Sequence, residues 1–366
     1  MTTTDIYKQL MIHFSQMGMM MPPREDLLTI LKSNFNEEEA KVVLSIPSKK
    51  IPFQGISINE ISKSIEIPFH HLNEILEKLA NRGLVFSYTD KNTGELMYAL
   101  QQSAFGFPQV FFWKGENTRY SREMAKLVLK YFNTEVTKEV YSVEPIPFRF
   151  IPIEETIEPE TQAILPFQVM KEIIKKARVI AVANCICRHS MKLIGRGCDH
   201  PLEVCMKFND LARFIIDQGF AREVSVEEAL EISRKASEAG LVHFTDNAID
   251  NVQQNCNCCG CSCWNLGRIR RRMIPRDEII ATYFIRETLK DKCIGCGNCV
   301  DICPADAVNL EDNLAVIDTD WCIGCGVCVS KCPNDAIKIV LREDLKERVP
   351  EKDFQILHKK ILDSRS

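Results

Sequence analysis

The chain has 366 residues, of which 45% are hydrophobic and 17 are cysteine, with a formal net charge of −4. That length allows two or three domains with their own cores, and the small charge gives no electrostatic case for the whole molecule as a nucleic-acid binder. Such cysteine density would mark a disulfide scaffold in a short secreted chain; in a long chain without a secretory leader it marks metal ligation in a reducing cytoplasm.

In chain order, Met1–Pro22 lacks a basic start followed by an apolar run, and its Met17–Met21 stretch is too short to serve as one. No window of the chain reaches the ~18 to 20 apolar residues that cross a bilayer. Residues 1–138 are expected to form a helical and winged-helix-like domain. Leu27, Leu28, Ile30 and Leu31, then Ala40, Val42, Val43 and Leu44, recur at helical spacing. Ser57-Ile-Asn-Glu60 has the form of a capping box. Pro68 opens a second helix with apolar positions Leu72, Ile75, Leu76 and Leu79, and Gly83 follows as a stop. Leu84–Tyr88 and Leu96–Leu100 predict a hairpin around the Asn92-Thr-Gly94 turn. The second helix offers His70, His71, Asn73, Glu74, Glu77, Lys78 and Arg82 to a partner, but residues 51–100 hold four Lys or Arg against six Asp or Glu. A net-acidic module lacks the phosphate-neutralising term of DNA binding, so a protein-docking role is favoured over DNA.

Residues 139–162 carry several prolines and acidic runs and read as a linker. Residues 163–276 are expected to form a small cysteine-rich α/β domain, with helices over Leu165–Ala177, Cys205–Gln218 and Val226–Ala239 and strands over Arg178–Asn184 and Leu241–Phe244. Its nine cysteines fall in two groups, Cys185, Cys187, Cys198 and Cys205, then Cys256, Cys258, Cys259, Cys261 and Cys263. Alternate side chains of a Cys-x-Cys can face one side, whereas adjacent Cys258 and Cys259 diverge unless the backbone turns sharply, as Gly260 and Gly197 would allow. Cys185, Cys187, Cys198, Cys205, Cys256, Cys258, Cys259 and Cys261 form the candidate ligand set of a middle iron-sulfur cluster or clusters, with a zinc site from part of the set and free thiols as alternatives. His189 and His200 lie beside the first group and read as supporting or surface residues rather than ligands. Arg188 and the run Arg268, Arg270, Arg271, Arg272 and Arg276 could offset cluster charge or hold phosphates, and read as a solvated basic face or a salt-bridged domain junction before a phosphate site. No G-x-G-x-x-G follows a strand and no P-loop occurs, so no NAD, flavin or ATP motif is seen.

Residues 277–345 contain C-x-x-C-x-x-C-x-x-x-C-P twice, as Cys293, Cys296, Cys299, Cys303, Pro304 and, 29 residues on, Cys322, Cys325, Cys328, Cys332, Pro333. This is the bacterial two-cluster ferredoxin run, in which the fourth cysteine of one run ligates the other cluster. Two [4Fe-4S] clusters are therefore expected, one on Cys293, Cys296, Cys299 and Cys332, the other on Cys322, Cys325, Cys328 and Cys303. Zinc seldom uses three cysteines at successive two-residue gaps followed by Cys-Pro. Between Asp291 and Val340 eight acidic residues face three lysines, which suits docking on the basic surface of a redox partner protein. Residues 346–366 read as a C-terminal tail.

The stretches A-V-A-N-C-I-C-R, G-C-D-H-P-L-E-V-C and N-C-N-C-C-G-C-S-C, with the N-terminal L-L-T-I-L-K-S-N-F-N-E-E-E-A and the double cysteine run, resemble a group of iron-sulfur proteins from anaerobes. In that group a winged-helix-like domain precedes a cysteine-rich segment and a two-[4Fe-4S] ferredoxin domain, an α+β multidomain fold. The resemblance implies an electron carrier and names no substrate; Ser262 stands where relatives carry another cysteine. The functional expectation is an electron-transfer protein or subunit. An oxidoreductase with a catalytic atypical middle cluster and a redox-responsive DNA-binding regulator are the alternatives.

Overall fold

The computed structural model describes residues 5–345 and 349–365. Residues 1–4 of the expected first domain, and 346–348 and 366 of the expected tail, lie outside the described residues. No helix among those described is long and apolar enough to cross a membrane.

The N-terminal part opens with helices Ile6–Ser15, Glu25–Asn34 and Glu37–Leu44. Ser57 caps the short helix Ile58–Ser62: its hydroxyl accepts from Glu60 N–H (3.3 Å) while the Glu60 carboxylate accepts from Ser57 N–H (2.9 Å). Helix Phe69–Asn81 follows Pro68 and buries Leu72, Ile75, Leu76 and Leu79 on one face. Strands Val85–Thr89 and Leu96–Leu100 pair antiparallel, and Ile56–Ser57 adds to the free edge of the latter. This unit rests on the middle of the chain through Phe86, whose ring lies 4.8 Å from that of Phe214. Two basic groups, one on the Phe69–Asn81 helix and one at its end, are engaged: His71 meets Glu38 at 2.9 Å, and Arg82 meets Glu39 at 2.8 Å.

The centre is a six-stranded sheet in the order Phe148–Ile151, Val242–Asp246, Gln254–Cys258, Glu203–Phe208, Ile180–Asn184, Arg222–Glu223, with every neighbouring pair antiparallel. Three expectations are corrected here. The segment 139–162 holds the fully buried strand Phe148–Ile151, whose Arg149 donates to the carbonyls of Ala248 (2.7 Å) and Phe167 (2.9 Å). Its prolines had masked a strand whose alternate residues are aromatic. The expected helix Cys205–Gln218 is divided: Glu203–Phe208 is a strand and the helix is Asn209–Asp217. Pairing with strands on both sides overrides the helix propensity of Cys-Met-Lys and puts Cys205 opposite Ala183. The expected helix Leu165–Ala177 is a short 3-10 turn, Pro166–Gln168, followed by helix Met170–Lys176.

The tail domain pairs Phe284–Thr288 with Ile337–Leu341 and Val308–Glu311 with Leu314–Ile317. The basic run joins it to the centre. Arg270 donates to the Cys303 carbonyl (3.2 Å), Arg272 to that of Asp306 (2.6 Å), and Arg276, 4% exposed, to that of Cys322.

Past residue 348 the chain forms strand Glu351–Asp353, parallel to Ala248–Asp250, and helix Phe354–Ser364, which buries Phe354, Leu357, His358 and Ile361. Residues 351–364 of the expected tail are thus packed into the core. The His358 ring centroid lies 4.3 Å from Phe354 and 5.0 Å from Phe105, and neither of its nitrogens has a hydrogen-bond partner among the described residues. Burial holds its pKa down to about 3. In the unfolded chain the imidazole takes up a proton below about pH 6.5, so this neutral burial stabilises the fold fully above that pH and progressively less as pH falls toward the folded value. The expected loss is about 2 kcal/mol by pH 5. Relative to the parent, His358→Phe should gain that much between pH 7.5 and pH 5 in thermal unfolding; parallel pH profiles would rule the account out.

Candidate metal centres

In the tail, Cys293, Cys296, Cys299 and Cys332 line one cavity of about 20 Å³ with Gly295, Gly297 and Ala315. The other four, Cys303, Cys322, Cys325 and Cys328, are all buried and act electrostatically on one another. The first cavity thus brings Cys332 of the second run to three sulfurs of the first, and the two groups adjoin, since Cys328 feels Cys299 as well as Cys303 and Cys322. The loops curl tightly because Gly295 (φ 66°) and Gly324 (φ 60°) occupy the left-handed region, and a Cβ at either would fall within 2.4 Å of another backbone carbonyl. Peptide N–H groups aim at sulfur: Ala315 at Cys293 (3.5 Å), Ala307 at Cys303 (3.3 Å) and Ala336 at Cys332 (3.2 Å). The last two stand four residues after their cysteines in each run. Such donors, with the Arg286 guanidinium, 3% exposed and facing both sets, are what thiolates carrying a negative cluster require. The donor set fits iron-sulfur chemistry.

The two sets differ in exposure. Cys296 is exposed and Cys293 and Cys332 are half-buried, beside exposed Ile294. In this open set the N–H groups of Ala315 and Gly295 draw the Cys293 thiol pKa down. In the other, burial pushes Cys328 up to about 12 and Cys325 well above its ordinary value. That buried set faces the centre of the molecule: Ile153 N–H donates to the Cys325 carbonyl at 3.0 Å. Gly260 lies against Pro304 so closely that a Cβ would come 2.1 Å from its carbonyl oxygen.

The nine middle cysteines separate into two groups that cross the sequence groups. Cys185, Cys187, Cys205, Cys256, Cys258 and Cys263 line a single cavity of about 60 Å³. Their thiols neighbour one another in the order Cys185, Cys187, Cys263, Cys258, Cys256, Cys205. Strand Ile180–Asn184 delivers Cys185, and helix Ile186–Leu193 carries Cys187. Strand Gln254–Cys258 turns Cys256 and Cys258 to the same face. Trp264 N–H donates to Cys187 (3.5 Å) and Leu266 N–H to Cys263 (3.4 Å). Ala104 and Gln109 of the N-terminal part close the cavity, and the Trp113 carbonyl pins Asn184 through its N–H (3.1 Å) and side-chain amide (3.0 Å). Buried Arg188 and Lys207 supply positive charge.

Cys198, Cys259 and Cys261 stand apart from that cavity, together with His200. Cys198 is drawn down to about 6: burial opposes this, and hydrogen bonds from Ser262, Cys261 and His200 outweigh it. His189 takes no part in either group; its Nε2 meets the Glu116 carbonyl at 2.9 Å. The sequence reading left Cys263 out of the candidate set and set His200 aside. A signal for Cys263 was available in the bare count, because diverging Cys258 and Cys259 imply two sites to be filled.

Residues 287–339 match the family model described as a 4Fe-4S dicluster domain. Ferredoxin-2 of Desulfomicrobium norvegicum is 58% identical over 26 residues, 7% of this chain and 44% of that protein, so the chain spans less than half of the curated relative it matches. No solved structure matches the chain. With the paired cysteine loops, these findings make it an iron-sulfur protein with a ferredoxin-type domain at its C-terminal end.

Proposed function

We propose that the chain is an electron-transfer protein or subunit that relays single electrons between a partner docked on its tail domain and the six-cysteine cavity at its centre. The observation that carries this is the serial placement of the sulfur sets: an open one at the surface, a buried one behind it, and the cavity beyond the contact of Gly260 with Pro304. In this reading Cys293, Cys296, Cys299 and Cys332 hold one [4Fe-4S] cluster, Cys322, Cys325, Cys328 and Cys303 the second, and the cavity at least one more. The clusters supply the one-electron chemistry. The chain holds them at fixed spacing, excludes water from the inner ones and offsets their charge with Arg286, Arg188 and Lys207. Exposed Asp291, Asp301, Glu311 and Asp312 near the open set favour a basic partner surface. The helix-helix-hairpin unit acts as a winged-helix-like packing module rather than a DNA reader, since His71 and Arg82 are tied to Glu38 and Glu39. A reducing cytoplasm is the compartment that suits these thiols.

A second reading has its own support. Six thiols exceed the four that one cubane uses, which suits an atypical, reactive centre in an oxidoreductase. Anaerobic purification with iron and acid-labile sulfide analysis, followed by low-temperature electron paramagnetic resonance, tests the proposal. The expected result is two magnetically interacting cubane signals from the tail and at least one further signal. Material without labile sulfide would end the electron-transfer reading, and a substrate-dependent change in the third signal alone would favour the second.

A further inference from the structure

We infer that Cys198, His200, Cys259 and Cys261 form a separate mononuclear zinc site that pins the connection between helix Ile186–Leu193 and strand Glu203–Phe208 onto the turn after Cys258. The ligand atoms of all four lie within 4.8 Å of one another. Cys198 and Cys259 sulfurs are 3.8 Å apart, and Cys261 Sγ is 3.9 Å from His200 Nδ1. Zinc bonds of about 2.3 Å to sulfur and about 2.0 Å to nitrogen give tetrahedral edges of roughly 3.5 to 3.8 Å, so the four donors already stand close to a single-ion tetrahedron. On an iron-sulfur cubane each thiolate binds its own iron, and the sulfurs must lie further apart than such an edge. Cys198 and Cys259 are free thiols, and a disulfide between them would leave His200 and Cys261 without a role.

The surroundings suit a bound thiolate set. Two Cys-x-His and Cys-x-Cys pairs, each at i and i+2, come from segments 61 residues apart and meet face to face. Ser262 Oγ, 4% exposed, donates to Cys198 Sγ at 3.3 Å and reaches Cys261 Sγ at 3.9 Å. Ser262 is thus a hydrogen-bond donor to two of the proposed ligands. Fully buried Arg188 reaches Cys259 and offsets the one net negative charge of three thiolates, a neutral imidazole and Zn²⁺. Residues 194–202 have neither helix nor strand of their own, and a metal cross-link would add to the Cys185 N–H bond to the Leu202 carbonyl (2.6 Å) in fixing them.

The test uses the full chain purified anaerobically, with zinc and iron measured together and zinc-edge X-ray absorption for the ligands. The parent should carry about one zinc per chain, bound by three sulfurs and one nitrogen. Cys261→Ser should lower zinc at least about tenfold with iron unchanged. His200→Cys should keep the zinc and convert its surroundings to four sulfurs, which guards against loss through misfolding. A parent without zinc, iron loss in Cys261→Ser, or an unaltered nitrogen signal in His200→Cys would each overturn the site. None of these outcomes depends on the electron-transfer proposal.

Discussion

On the proposed cluster assignment, Cys325→Ala is expected to strip about four irons from each chain and to lower the stability of the tail by on the order of 4 kcal/mol, whereas Cys296→Ala should lose a similar amount of iron at much smaller cost in stability. The difference follows from position. Cys296 is exposed on the open loop, so its loss removes a ligand from a set whose wall is already partly solvent. Cys325 is buried, and its backbone carbonyl receives the Ile153 N–H at 3.0 Å across the junction with the central sheet. Its set includes Cys303 from the other run, next to Pro304, on which Gly260 is packed. Losing the proposed cluster there would free the two loops from each other, leaving the bonds of Arg270 and Arg276 to the Cys303 and Cys322 carbonyls to hold them to the centre. Iron assays with thermal unfolding of both variants decide it. Unchanged iron in both would reject the grouping of the eight sulfurs, and equal loss of stability would reject the distinction between an inner and an outer set.

How far the sequence carried these conclusions depends on the range of the interactions involved. The tail loops were legible because their chemistry is local: three cysteines at two-residue gaps, glycines at the turns and Cys-Pro at the exit are written within a dozen residues. The capping box at Ser57 and the helix after Pro68 were legible for the same reason. The central sheet was not. Phe148–Ile151 sits among prolines, and only its pairing with Val242–Asp246, about a hundred residues later, makes it a strand. Cys205 follows the same logic, since flanking strands decide its conformation. The middle cysteines were half legible. Alternation along a strand sends Cys256 and Cys258 to one side and Cys259 to the other, as a period of two requires. Which of Cys185, Cys187, Cys198 and Cys205 meets which side is set by the turn over residues 194–202 and by the sheet order, and neither leaves a local signature. Nor does Lys207, whose place beside the sulfurs exists only once three strands are paired.

If the six-cysteine cavity holds a cluster, as proposed, Lys207→Met is expected to lower the midpoint potential of that centre by on the order of 100 mV while leaving both proposed tail centres where they are. Lys207 lies on the strand Glu203–Phe208, opposite Gln254 and Ala181, and is 2% exposed. Its ammonium donates to Gln254 Oε1 at 2.7 Å and sits 5.9 Å from the Trp113 ring centroid. Burial alone would drive the proton off. Cys205 and Cys256, followed by Asp246, outweigh it and raise the amine's pKa, so the charge persists because the thiolates need it. A reduced cluster carries one more negative charge than an oxidised one, and a fixed cation stabilises the reduced form more. At a separation of about 6 Å and an effective dielectric of about 20 that preference is roughly 3 kcal/mol, which for one electron is about 120 mV. Methionine keeps the length and apolar stem of lysine, so the cavity wall stays filled and the change isolates the charge. A redox titration followed by electron paramagnetic resonance gives the three potentials separately. A middle potential within about 20 mV of the parent's would mean that Lys207 compensates no cluster charge, and equal shifts at all three centres would mean that the substitution acts on the fold rather than on the cavity.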